Sequence, residues 1–188
     1  AVGPFATETL RQPADYRRQF EQRHAVLLPD LFDSRLLDKL LDRCGSASFA
    51  EDQVDRIGTR EIEAPQIVGP TINVLLNRAP LLRWVEAATG CGPLDRVEGR
   101  LVQTRANGTD SLDWHADTFD PLRRLAMTID LSPARFEGGH FELRDARSRE
   151  ILFAHRHDRS GSAVIFDVAG GLEHRVLPVG GGGPRRVF

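Results

Sequence analysis

The sequence predicts a mainly β chain with helices at its N-terminal end, and three observations predict it. Residues 97–188 alternate short apolar, β-prone runs with glycine breaks: Asn107-Gly108, Glu137-Gly138-Gly139, Ser160-Gly161 and Ala169-Gly170-Gly171. Residues 1–96 instead place apolar side chains at helical spacing, as in Leu36, Leu37, Leu40 and Leu41. The length of 188 residues, with 40% hydrophobic and 28% charged residues, suits a single globular core. One domain is therefore expected over 1–188, with 1–96 as a helical lead-in and support and 97–188 as the β core. Many short strands at this spacing argue for a sandwich or barrel.

Taken in order, residues 1–13 lack periodicity and read as a loose arm. Residues 14–24 carry Tyr16 and Phe20 on one helical face. Residues 25–29, Ala-Val-Leu-Leu-Pro, read as a short buried strand closed by proline. Asp33 or Ser34 caps a helix running to residue 43, with Gly45 as its stop. Residues 49–64 are polar and mixed in charge, fitting a strand pair or, preferably, a surface loop. Helical segments are expected at 71–76 and 80–89, the second with Pro80 in its first turn. From there the β runs are 97–105, 125–131, 140–143, 150–154, 163–166, 174–179 and 185–188.

Lys+Arg 25 against Asp+Glu 27 gives a net charge of −2, so no global field draws in nucleic acid. Lys39 is the sole lysine, so an anion anchor in a pocket must be a guanidinium. Cys44 and Cys91 form neither a disulfide framework nor a metal knuckle, and read as small buried apolar residues. No apolar run reaches membrane-spanning length and no signal-peptide pattern opens the chain. A cytoplasmic location, a small-molecule substrate, and neither nucleic acid nor membrane as partner are the resulting expectations.

The chemistry gathers at His115-Ala116-Asp117. A histidine and an aspartate two apart on a strand share a face, and a second histidine from a distant strand completes a 2-His-1-carboxylate triad. Such a set suits non-haem Fe(II), because it occupies one side of an octahedron and leaves the other open. His174, followed by Val176 and Val179, is the candidate third ligand. Taken alone, His115 and Asp117 also read as a surface turn, and His174 as a core histidine. His155-Arg156-His157-Asp158 is a rival pair, but it falls where a polar hairpin turn is expected. His24 reads as a surface residue.

The wider pattern carries more. Trp114-His115-Ala116-Asp117 is followed by Glu137-Gly138-Gly139-His140-Phe141-Glu142-Leu143 and by Gly161-Ser162-Ala163-Val164-Ile165-Phe166. His174-Arg175-Val176-Leu177-Pro178-Val179 and Pro184-Arg185 complete the series. In order and spacing these resemble the Fe(II)/2-oxoglutarate-dependent oxygenases, in the branch that includes the prolyl hydroxylases. The resemblance covers about residues 97–188 and is looser over 1–96. It implies a double-stranded β-helix, or jelly-roll, with Fe(II) held by His115, Asp117 and His174 as the catalytic centre. It also implies 2-oxoglutarate and O₂ as co-substrates, and assigns His140 no ligand role.

By the same resemblance Arg185 grips the distal carboxylate of 2-oxoglutarate, a role for which a guanidinium fork is suited. Arg186 is the competitor; on a strand the two point to opposite faces, and Gly183-Pro184-Arg185 fits the family pattern better. Thr128 and Val176 line the co-substrate pocket in this reading. Arg105 occupies a position where relatives often carry tyrosine, and suggests an added anionic contact. Asp117 fills the site that halogenating relatives leave to halide, so hydroxylation is favoured, with succinate and CO₂ as co-products.

Candidate substrate anchors are Trp114, Phe119, Arg123, Arg124 and Arg175. So many guanidiniums near the metal motif point to a small acidic molecule, such as an amino acid or natural-product intermediate. A peptidyl side chain is the second choice. A reading of a different class is a metal-binding jelly-roll that senses or scaffolds without turnover, which commonly lacks a ligand or the arginine.

Overall fold

The computed structural model describes residues 1–8, 11–54, 57–117, 122–168 and 170–188. Helix α1 (Pro13–Arg23) buries Tyr16 and Phe20 and closes on His24, which adopts the left-handed conformation and donates its N–H to Phe20 O. Helix α2 (Ser34–Ser46) is capped by Asp33, whose carboxylate accepts Leu36 N–H at 2.8 Å. It runs through Gly45, where the sequence places a stop, and ends at Ala47. Helices α3 (Val68–Leu76) and α4 (Ala79–Thr89) follow, the second closed by Gly90 at φ 71°. None of the helices among the described residues is long and apolar enough to cross a membrane.

Strands β1 (Ala25–Leu28), β6 (Leu125–Ile129) and β10 (Ala163–Asp167) form an antiparallel sheet in the order β1-β10-β6. A larger sheet contains β2 (Phe49–Val54), β3 (Gly58–Glu63), β4 (Val102–Thr104), β5 (Leu112–His115), β8 (Phe141–Asp145), β9 (Ile151–His155), β11 (Leu172–Val176) and β13 (Arg185–Val187). Its order is β13-β4-β3-β5-β11-β8-β9, with β2 beside β3. Strands β7 (Phe136–Gly138) and β12 (Val179–Gly182) pair separately. The two main sheets are joined where Ile129 and Phe188 exchange N–H···O bonds of 2.9 and 3.0 Å and Asp130 bridges Val187. The result is the curled antiparallel architecture of a double-stranded β-helix, as expected.

Strand alternation sorts the core into two parts. Met127, Ile129, Ile165 and Phe188 pack toward Leu36, Leu40, Ile72, Leu76 and Val85 of the helices. Ala126, Val164, Phe166, Phe141, Leu143 and Val176 fill the space between the sheets. That second, inner cluster carries the chemistry.

Residues 49–64 correct the surface-loop expectation. β2 and β3 form a hairpin in which Asp52 faces Arg60 in register and the two pair at 2.8 Å. The charges that hid the strand pattern are therefore part of its pairing. Glu63, at its end, is buried and its carboxylate accepts Val68 N–H at 2.6 Å and Gly69 N–H at 2.9 Å, opening α3. Residues 97–99 are held not by a strand but by side chains: Asn77 and Asn73 each bond both backbone groups, of Val97 and Gly99 respectively. The glycine run 180–183 supplies β12, because Cβ atoms at Gly182 and Gly183 would lie 2.5 Å from Arg135 O and 3.0 Å from Ala134 Cβ.

Candidate metal centre and anion cradle

β5 and β11 are antiparallel neighbours, and His115 and His174 are direct partners across them. Their rings therefore meet, with centroids 4.1 Å apart. Asp117 lies just beyond the end of β5 and brings Oδ1 to 4.0 Å from His115 Nε2. One donor atom from each of His115, Asp117 and His174 lies within 4.8 Å of the others, and no second group of three does so among the described residues. Neighbours fix each donor. His115 Nδ1 is 2.7 Å from Asp113 O; as a donor there, it leaves the Nε2 lone pair facing the cluster. Arg123 donates to Asp117 Oδ2 at 2.7 Å, leaving Oδ1 on the histidine side. His174 rests against Phe166 and Phe141, at 4.9 and 5.8 Å between centroids. Burial, then the His115 imidazole, pushes His174 down to about 4, so it is a neutral donor near neutrality.

This donor set fits Fe(II): two neutral imidazoles and one carboxylate leave the ion a net charge of +1 and an open side.

Arg185 is 3% exposed and points into the protein, with burial pulling it down to about 10 against the opposing effect of Asp130. It stays charged at neutral pH, yet its Nε has no hydrogen-bond partner and it forms no ion pair among the described residues. Arg186 points the other way, bonding Gln103 Oε1 at 2.6 Å and the Cys44 carbonyl, with Phe49 beneath it. Alternation along β13 thus separates the two arginines. Gly139, at φ 63°, packs over the Arg185 stem: a Cβ there would lie 2.9 Å from Arg185 Cδ. An uncompensated buried guanidinium is costly, so its surroundings fit an anionic ligand. Thr128 Oγ1 adds a second buried polar atom without a partner among the described residues. Val176 belongs to the inner apolar cluster.

Other expected site residues lie elsewhere. Arg105 forks onto Asp110, at 2.7 and 3.2 Å, and approaches Glu51 at 3.5 Å, so its guanidinium is already committed. Trp114 and Arg175 neighbour His115 and His174 on their strands and so occupy the opposite, outer face. There Arg144 and Arg175 stack on the Trp114 ring at 3.7 and 4.5 Å, and Arg175 bonds Glu142 at 2.7 Å. As substrate anchors beside the cluster, both are corrected by this placement. Arg124 is exposed. Phe119 lies outside the described residues.

The polar turn expected at His155-Arg156-His157-Asp158 is also corrected. β9 runs through His155, which pairs in register with inward-facing Phe141, and His157 is 2% exposed. The Nε2 atoms of both are buried without partners among the described residues. The only sequence signal for them was the i, i+2 spacing.

Residues 101–188 match the model of the 2OG-Fe(II) oxygenase superfamily. No curated protein matches the chain. An oxidoreductase of the 2OG-Fe(II) oxygenase family from Burkholderia pseudomallei has a similar structure, with a TM-score of 0.69 at 19% identity over 99% of this chain and 92% of that one. A prolyl-4-hydroxylase of Pseudomonas putida gives 0.66 at 16% identity, over 94% and 96% of the two chains. A non-haem α-ketoglutarate-dependent epimerase from nogalamycin biosynthesis gives 0.66 at 14%, over 94% and 82%. At such identities the structural likeness concerns the fold, and the family match is confined to residues 101–188. Residues 101–188, which carry the His-Asp-His cluster and Arg185, thus match the 2OG-Fe(II) oxygenase superfamily, whose cofactors are Fe(II) and 2-oxoglutarate.

Proposed function

We propose that the chain is an Fe(II)/2-oxoglutarate-dependent dioxygenase that hydroxylates an unactivated C–H of a small acidic substrate. The observation that carries this is the convergence of His115, Asp117 and His174 within 4.8 Å, in a fold whose interior also buries Arg185, which forms no ion pair among the described residues. In this reading the three residues hold the iron, and Arg185 and Thr128 hold the tail carboxylate of 2-oxoglutarate. Iron and 2-oxoglutarate held there would supply the activation of O₂, one oxygen atom going to the hydroxylated substrate and the other to succinate, with CO₂ released.

The chain's own groups do the positioning. The Asp113 carbonyl sets the His115 tautomer, and Arg123 restricts Asp117 to one free oxygen. Phe141 and Phe166 keep water from the His174 side of the cluster. Asp117 occupies the position a halide would need, which supports hydroxylation. Pairing of Arg105 with Asp110 and Arg175 with Glu142 withdraws two of the guanidiniums that argued for an acidic substrate. Arg124, exposed and ion-paired to no described residue, takes that role here.

A panel of amino acids, hydroxy acids, neutral metabolites and proline-containing peptides, read by succinate release, tests this reading. An acid should stimulate release above the uncoupled background, and Asp117→Ala or His174→Ala should return it to background. Stimulation by peptides alone would move the substrate to a peptidyl side chain. Unchanged turnover in either variant, with metal controlled, would remove the ligand assignment. Fe(II) binding without any turnover across the panel would favour a sensor or scaffold.

A further inference from the structure

Five buried side-chain nitrogen or oxygen atoms lack a hydrogen-bond partner among the described residues, and four come from the same region: Thr128 Oγ1, His155 Nε2, His157 Nε2 and Arg185 Nε. Only Thr7 Oγ1 lies outside it. Several links tie the four together. The His155 and His157 rings meet edge to face, with centroids 5.1 Å apart. The Arg185 charge acts on both imidazoles, and Asp130 acts on both Arg185 and His155. Thr128 is on β6, and Asp130 lies one residue past the end of that strand. A buried polar atom without a partner is costly, so four in one region mark a place for a polar ligand.

The charges narrow the ligand's chemistry. Burial lowers both histidines, His157 to about 2, so both imidazoles are neutral at physiological pH. His157 Nδ1 is 2.9 Å from Ser162 Oγ; with the hydroxyl as donor, His157 carries its proton on Nε2. Asp130 does not supply the missing anion. Its Oδ1 accepts Ser132 N–H at 3.0 Å, it makes no ion pair with Arg185, and burial raises its pKa. One cation, two neutral imidazoles, each able to donate one N–H, and a hydroxyl suit a single carboxylate.

We propose that His155 and His157, each donating through Nε2–H, complete with Arg185 and Thr128 the site that holds the distal carboxylate of the co-substrate, and thereby select a dicarboxylic 2-oxo acid. This rests on the reading of 2-oxoglutarate as co-substrate. It adds two positioning residues to it. The charge of the bound diacid's tail is met by a single guanidinium, while the imidazoles supply direction without a second positive charge.

Calorimetric titration of the anaerobic Fe(II)-loaded protein tests the proposal, with 2-oxoglutarate and oxalate as probes. Oxalate keeps two chelating oxygens and lacks the tail. Removing the donor in His155→Phe or His157→Phe should weaken 2-oxoglutarate by roughly tenfold or more, and leave oxalate within about twofold. The donor-retaining His155→Gln should recover most of the loss. If the wild type binds 2-oxoglutarate and both Phe variants bind it equally well, the histidine roles are overturned while the co-substrate reading survives. Equal loss of both probes would place the histidines in the fold or the metal site, and also overturns the proposal. A wild type that binds oxalate but not 2-oxoglutarate would sink the co-substrate reading itself, and the cradle with it.

Discussion

Arg123 sets how Asp117 can bind an ion. By holding Oδ2 at 2.7 Å it leaves one oxygen toward the histidines and orients a group that sits beyond the end of β5. Such outer contacts commonly tune metal affinity. Arg123→Ala should therefore weaken Fe(II) binding roughly tenfold or more, measured by anaerobic competition with a chelator; unchanged affinity would mean that Asp117 needs no such restraint. His157 provides a second residue-scale prediction. Folded His157 stays neutral down to about 2, whereas the unfolded chain takes up a proton near 6.5. Between those values the unfolded state binds more protons, so this contribution to stability is full above pH 6.5 and is lost as the pH falls. By pH 5.5 the loss is about 1 kcal/mol for this histidine. Urea midpoints at pH 7.5 and 5.5 should show the drop, and His157→Phe should lessen it. At this scale the sequence singled out His115, Asp117 and His174 through a spaced motif, and the structure brings the three together. The sequence left Arg185 and Arg186 competing until strand alternation separated them. It placed His155 and His157 in a polar turn and missed their burial, because two histidines among Arg156 and Asp158 look solvated. Their burial follows from the β8–β9 register, a non-local fact.

The hairpin of β2 and β3 shows why some elements were hidden. Its cross-strand charge pair Asp52–Arg60 mimics loop composition, and only Phe49 and Glu63 at its ends mark it as structural. Glu63 serves the helix that follows. Its two carboxylate oxygens satisfy the first two N–H groups of α3, whose own N-cap residue Ile67 offers no side-chain acceptor. Glu63→Ala should destabilise the protein by about 1–3 kcal/mol, read from urea unfolding, with Fe(II) affinity unchanged. A loss of metal binding without loss of stability would show instead that the hairpin acts directly on the site. The helices themselves were readable from apolar spacing, and only their ends moved, as at Gly45. Glycine runs were harder: Gly180–Gly183 carry no strand pattern, but their missing side chains permit the close approach that pairs β12 with β7.

At the scale of the molecule, alternation divides labour between the two faces of each sheet. One face meets the helices through Ile129, Ile165 and Phe188; the other encloses Phe141, Phe166 and the His174 ring. Any ion at the cluster ties β5 to β11 and to the loop carrying Asp117, so binding energy is also folding energy. The architecture was legible from the spacing of strands and glycines. The substrate class was not, because two of the arginines whose place near the motif suggested a small acid pair with Asp110 and Glu142.

The most direct measurement is the anaerobic visible spectrum of the protein as Fe(II) and then 2-oxoglutarate are added. A weak charge-transfer band should appear only when both are present, and it should disappear in Asp117→Ala. No band in the wild type, or an undiminished one in that variant, would contradict the assignment of His115, Asp117 and His174 as the seat of an iron that chelates the co-substrate.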